Sequence, residues 1–237
     1  MNQIIEAIRA DLIANADETK KSGAERYFKE EIKVYGVNTA VVTKIGKEHY
    51  KSLKGRSKTE VFALCEELWQ SGYMEEAFIA CNWSYYRHQE YQPEDFTTFE
   101  RWVSLYVSNW ATCDTLCNHT VGDFLQMYPE YLPELKKWAV SANRWMRRAA
   151  AVSLIIPAKQ GKFLGEILEL ADILLMDPDD LVRKGYGWML KEASKPYQDE
   201  IFNYIMKNKG TMPRTSLRYA IEKMPPDLKA RAMASFL

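Results

Sequence analysis

The sequence predicts an all-α fold, a HEAT-like superhelix of stacked helix pairs spanning residues 1–237 as one domain. Three observations carry that expectation. Apolar residues recur at three- and four-residue spacing along most of the chain, the mark of helices with one buried face. Alternating strand-like runs bounded by turns are nearly absent. Similar segments return after roughly 35 residues, the length of one helix pair in such repeats.

Taken in chain order, the elements justify themselves as follows. In 58–70, Val61, Leu64, Cys65 and Leu68 share one helix face. Asn109-Trp110 stands 35 residues before Trp145. Trp145-Met146-Arg147-Arg148-Ala149 resembles Leu181-Val182-Arg183-Lys184-Gly185, 36 residues later. In 161–176, Leu164, Ile167, Leu168, Ala171, Leu174 and Leu175 draw another buried face, and Asp177-Pro178-Asp179-Asp180 supplies acids able to cap the helix that follows. Gly185-Tyr186-Gly187 falls inside that helix, where small residues allow close crossing by a neighbour. Leu217-Arg218-Tyr219-Ala220 repeats the rhythm of apolar, basic and small residues once more. Pro93, Pro129, Pro133, Pro178, Pro196, Pro213 and Pro225-Pro226 sit where periodic segments start or stop. About a dozen helices are expected on this pattern.

Composition narrows the class. With 47% hydrophobic, 27% charged and 13% aromatic residues the chain is globular, neither disordered nor fibrous. No apolar run approaches the roughly 18 residues of a membrane span. The opening Met1-Asn2-Gln3-Ile4-Ile5-Glu6 lacks the basic and apolar regions of a signal peptide. Cys65, Cys81, Cys113 and Cys117 read as reduced thiols, so a cytoplasmic protein is expected; a monomer is expected as well. The net charge of zero hides an asymmetry. Residues 1–130 carry 14 Lys+Arg against 20 Asp+Glu, whereas residues 131–237 carry 18 against 12. The second part therefore has the balance suited to a polyanion.

Few motifs suggest chemistry. Cys113, Cys117 and His119 make an incomplete zinc set, and no Walker or dinucleotide fingerprint occurs, so neither metal nor cofactor is expected. Two features remain. Arg147, Arg148, Arg183 and Lys184 recur with the repeat and form a candidate phosphate-binding stripe on one face of the solenoid. Trp110 and Asp114 lie one turn apart, which sets an indole and a carboxylate side by side. A solvated Asp next to a core Trp would have the same spacing. Trp69, Trp83, Trp102, Trp138 and Trp145 are assigned to the core.

Four segments, in order, carry a resemblance to a known family: Arg26-Tyr27-Phe28-Lys29 before Tyr35-Gly36-Val37, Trp110 with Asp114, Trp145 to Ala150, and Arg183-Lys184-Gly185-Tyr186-Gly187-Trp188. The chain resembles the bacterial AlkD-type alkylpurine DNA glycosylases of the DNA alkylation repair enzyme family. The resemblance implies a HEAT-like solenoid that removes cationic N3- and N7-alkylated purines from double-stranded DNA. It implies Asp114 as the catalytic carboxylate, Trp110 and Trp188 as the indoles lining the deoxyribose, Arg148 as the backbone contact near the lesion, and Tyr27 in the N-terminal wall of the same surface. Arg147, Arg183, Lys184 and Lys191 complete the expected DNA contacts. Lys191 stands where the family often has Arg, and Thr39 to Lys44 is poorer in arginine than its counterpart, which weakens backbone clamping. Two other readings use the same residues: a catalytically weak or inactive paralogue that binds distorted or branched DNA, and a protein-binding HEAT scaffold.

Overall fold

The structure, a computed structural model, describes residues 2–234. They are helical along most of their length, and the isolated extended pairing among them joins Lys33 to Tyr73. No helix among the described residues is long and apolar enough to cross a membrane. Sixteen α-helices are present among them. That exceeds the expected dozen because short helices form between closely spaced prolines and turns. Contacts divide the chain into two compact units, Met1–Leu116 and Cys117–Leu237.

The first unit contains α1 (Gln3–Ala14), α2 (Glu18–Tyr27), α3 (Thr39–Lys51), α4 (Lys58–Gln70), α5 (Met74–Tyr86), α6 (Asp95–Leu105) and α7 (Trp110–Leu116). Short polar side chains fix the starts. Asn2, Asp17 and Asn38 each accept a bond from a backbone N–H of the first turn, and Ser57 and Glu60 form a reciprocal capping box. The face expected in α4 is buried, together with Phe62 and Trp69.

Helix α5 is the hub of this unit, because α3, α4 and α7 all pack on it. Gly46 of α3 permits the approach: a methyl there would lie 3.3 Å from Ile79 Cγ1, and the Trp83 indole N–H donates to the Gly46 carbonyl at 2.8 Å. Two buried acids at the start of α5 hold the segment after α2. The Glu75 carboxylate accepts the backbone N–H groups of Tyr35, Gly36 and Val37 at 2.9–3.1 Å. Glu76 accepts the Tyr35 hydroxyl at 2.8 Å and a fork from Arg9 at 3.0–3.1 Å. Burial, with Glu76 alongside, pushes the Tyr35 hydroxyl well above the ordinary phenol range. Gly36 has φ +84°, and a Cβ there would meet the Asp17 carbonyl at 2.3 Å, so this turn against α2 requires glycine.

The second unit opens with a π-helical turn, Cys117–Val121. It continues with α8 (Gly122–Met127), α9 (Leu132–Ala139), α10 (Arg144–Val152), α11 (Ile155–Lys159), α12 (Leu164–Leu174), α13 (Asp180–Ala193), α14 (Gln198–Asn208), α15 (Arg214–Ala220) and α16 (Pro226–Met233). Helices α10, α13 and α15 pack successively, and α9 packs on α12 behind them, giving two layers. Their first residues, 144, 180 and 214, realise the echo seen in the sequence. Asp179 caps α13 as expected, its Oδ1 accepting the N–H groups of Leu181 at 2.8 Å and Val182 at 3.4 Å. The buried face of α12 comprises Ile167, Leu170, Ala171 and Leu174. Leu164, Leu168 and Leu175 lie at its half-exposed margin, so the stripe is rotated from the expected one, and Leu170 joins it.

The same repeat length governs the polar bonds. Within the first unit Glu66 accepts from Arg101, Trp102 and Tyr106, at sequence separations of 35, 36 and 40. In the second unit Lys162 donates to Gln126 and Tyr197 to the Gly161 carbonyl, both at 36. A repeat that touches its nearest neighbours produces this spacing. The tryptophans assigned to the core, Trp69, Trp83, Trp102, Trp138 and Trp145, are all buried.

Candidate functional site

In the first unit the candidate residues gather on α7. Asn109, buried in front of the helix, accepts the Thr112 N–H at 3.0 Å and so fixes its start. Thr112, Cys113 and Leu116 face the core, leaving Trp110 and Asp114 together on the half-exposed side. The Trp110 indole lies against the end of α2. Its ring centroid is 5.4 Å from that of Phe28, with the planes within 18° of parallel. Tyr27 meets it edge-on at 6.3 Å and is itself 72% exposed. The structure thus brings Tyr27 and Trp110 together. It adds Phe28, whose ring stacks on the indole. Cys113 and Cys117 are buried, whereas His119 is exposed, the distribution of packing thiols and a surface imidazole.

In the second unit the basic residues are engaged by their own neighbours. Arg148 is buried in α10, where its guanidinium donates to the Leu181 carbonyl and its stem runs past Gly185. Arg147 grips Asp177 through Nε at 2.6 Å and Nη2 at 3.3 Å, and reaches the carbonyls of Ser141 and Ala142. Arg183 donates to the Asp177 carbonyl at 2.5 Å. Lys184 pairs with Asp180 at 2.8 Å, a hydrogen bond that raises the lysine above its ordinary pKa. Lys191 pairs with Glu222 at 3.0 Å, and its ammonium sits 5.9 Å from the Trp188 ring centroid and 5.7 Å from that of Tyr219. The bond from Lys191 holds the Glu222 carboxyl below the usual range. Trp188 is half-exposed on α13. The carboxylate partners Asp177 and Glu222 were not legible as partners, because each lies about one repeat from its cation.

A sequence model of the family described as DNA alkylation repair enzyme matches residues 8–224. The chain belongs to the DNA alkylation repair enzyme family. That places this family member in DNA repair, with DNA as the molecule acted upon. Among solved structures it is similar to one described as a predicted DNA alkylation repair enzyme from Enterococcus faecalis, with a TM-score of 0.80 at 15% identity over 90% of this chain and 98% of the other. It is also similar to smu.31 from Streptococcus mutans UA159, with a TM-score of 0.57 at 19% identity over 81% and 98%. At such identities these likenesses establish the all-α fold. No curated protein matches the chain significantly.

Proposed function

We propose that the protein is a monofunctional DNA glycosylase that hydrolyses the N-glycosidic bond of cationic N3- or N7-alkylated purines in duplex DNA, acting in the cytoplasm as a monomer. The observation that carries this reading is the shared face of Trp110 and Asp114 on α7, with Tyr27 and Phe28 closing on the indole. An alkylated purine already bears positive charge, so it departs with the bond electrons as a neutral base and needs no added proton. The positive charge passes to the deoxyribose. The Asp114 carboxylate stabilises that oxocarbenium ion, and a water attacks C1′ and gives up its proton, leaving an abasic sugar. Trp110 offers an indole face to the same charge. Arg148, with Arg183, Lys184 and Lys191, holds backbone phosphates and sets the register, and Arg147 braces α10 through its pair with Asp177. No lysine stands near Asp114 in sequence, so a Schiff-base step has no evident nucleophile.

A second reading, a paralogue that binds DNA without cleaving it, is favoured by one observation. Arg147, Lys184 and Lys191 are neutralised by Asp177, Asp180 and Glu222, which leaves less charge to clamp a backbone. Incubation with methylated duplex DNA separates the two. The glycosylase reading expects release of 3-methyladenine or 7-methylguanine, and a rate about 10²–10³ lower in Asp114→Asn with DNA affinity retained. DNA binding without any base release would establish the second reading instead.

A further inference from the structure

We propose that Phe28 is a positioning residue that fixes the orientation of the Trp110 indole. The proposal rests on the glycosylase reading for what Trp110 does in the reaction, but not for the contact between the two rings. Trp110 is the first residue of α7 and is half-exposed, so its own helix restrains the ring on one side only. Phe28 lies nearly parallel to it at 5.4 Å and covers one indole face. An aromatic pair in this geometry is worth more than its buried area alone. The direction of the Phe28 ring is itself set by the fold. Phe28 ends α2 in an extended conformation, with its N–H bonded to the Ala24 carbonyl at 3.0 Å.

Both sides of the contact lead back to α5. Helix α7 packs directly on α5, while the segment after Phe28 is pinned to α5 by the three N–H groups that Glu75 accepts. Close packing of Gly36 against Asp17 and Lys21 ties that segment to α2. Phe28 and Trp110 therefore approach from two elements that share one rigid base. With Phe28 stacked on it, the half-exposed indole is held in one orientation toward whatever ligand meets its remaining surface. A cation is attracted to an aromatic face and not to its rim, so a ring free to swing would present the wrong surface part of the time.

The test uses Phe28→Leu, which keeps apolar bulk but removes the ring, and Phe28→Tyr, which restores it. In single-turnover base release, Phe28→Leu should lower the rate roughly tenfold. Its DNA affinity should stay within about twofold, and Phe28→Tyr should recover the rate. Near-ultraviolet circular dichroism supplies a readout independent of activity. The change produced by Phe28→Leu should disappear when the substitution is made in a Trp110→Phe background, although six other tryptophans remain. A wild-type release rate in Phe28→Leu, or an equal spectral change in both backgrounds, would overturn the proposal. If the wild-type protein releases no base, the glycosylase reading fails, and the spectral cycle alone decides whether Phe28 orients Trp110.

Discussion

Gly185 and Gly187 lie two residues apart in α13, and replacing each by alanine should have opposite effects. Taken alone, either change favours the helix by about 0.8–1 kcal/mol, since glycine is the least favourable residue in a helix interior after proline. At Gly185 the new methyl would lie 3.5 Å from Arg148 Cγ and 3.6 Å from Val152 Cγ1, ordinary contact distances. Gly185→Ala should therefore keep most of that gain. At Gly187 the methyl would lie 2.8 Å from Tyr219 Cβ, 2.9 Å from the Ser216 carbonyl oxygen and 3.2 Å from Ser216 Cα. Two of these atoms are backbone of α15, so the helix must move; no side chain can simply rotate away. Overpacking of this kind costs about 1–3 kcal/mol, and the backbone contacts argue for the upper end. The net expectation is a loss of about 2 kcal/mol, or a fall in Tm of about 4–8 °C for a chain of this size. Thermal unfolding followed by circular dichroism tests both variants. A Gly187→Ala protein that melts at or above wild type would refute the argument, as would a Gly185→Ala protein less stable than Gly187→Ala.

Three further outcomes are expected. Burial alone would raise the Glu66 carboxyl, but donors from Arg101, Tyr106 and Trp102 outweigh it and hold it below 4.5, so its stabilisation is present above that value and lost as pH falls through the lowered one; Glu66→Gln should flatten the acid limb of a stability–pH curve, and an unchanged limb would remove Glu66 from the account. Glu222→Gln releases Lys191 from its 3.0 Å partner, so DNA affinity should rise and the log–log salt slope steepen by about 0.9, the share of one phosphate contact; an unchanged slope would show that Lys191 does not reach the backbone. Arg148→Ala should weaken binding to undamaged and damaged duplex alike, and a loss confined to damaged DNA would contradict a phosphate role.

The repeat was legible because periodicity reports burial directly. Val61, Leu64, Cys65 and Leu68 are spaced as a buried face and are buried. The phase of α12 was harder to read, because its row of leucines offers several overlapping stripes and only packing against α9, α10 and α13 selects Leu170 over Leu168. Gly185 and Gly187 both marked a crossing in the sequence, but only the packing of α15 shows that Gly187 is the one a side chain would disturb. The neighbourhood of Trp110 was only half legible. Its relation to Asp114 follows from helical spacing, but its stacking on Phe28 joins residues distant in sequence and depends on how Glu75 seats the segment after α2. The basic stripe was misleading in one respect. Counting cations along the sequence gives their number, but not which of them a carboxylate one repeat away has neutralised.

That distinction decides which cations can serve a polyanion. Arg147 and Asp177 are both mostly buried, at 14% and 5% side-chain exposure, and a pair of that kind is costly to break because it leaves a buried charge behind. Arg147 is therefore bound to the fold, and on the proposed reading it serves DNA binding by holding α10, which carries Arg148. Lys184 with Asp180, at 35% and 47% exposure, is a solvated pair, worth at most about 1 kcal/mol. Lys191 is more covered than its partner Glu222, at 13% against 47%, so its ammonium could leave while the carboxylate is resolvated. These two lysines can exchange a carboxylate for a phosphate at little cost, whereas Arg183 is bonded to the neutral Asp177 carbonyl. A DNA interface drawn from such residues gains few counterion-releasing contacts and must displace its own acids to make them. On the proposed reading, binding should therefore be modest and only mildly salt-sensitive, and discrimination should rest with the aromatic and carboxylate groups on α7 more than with charge.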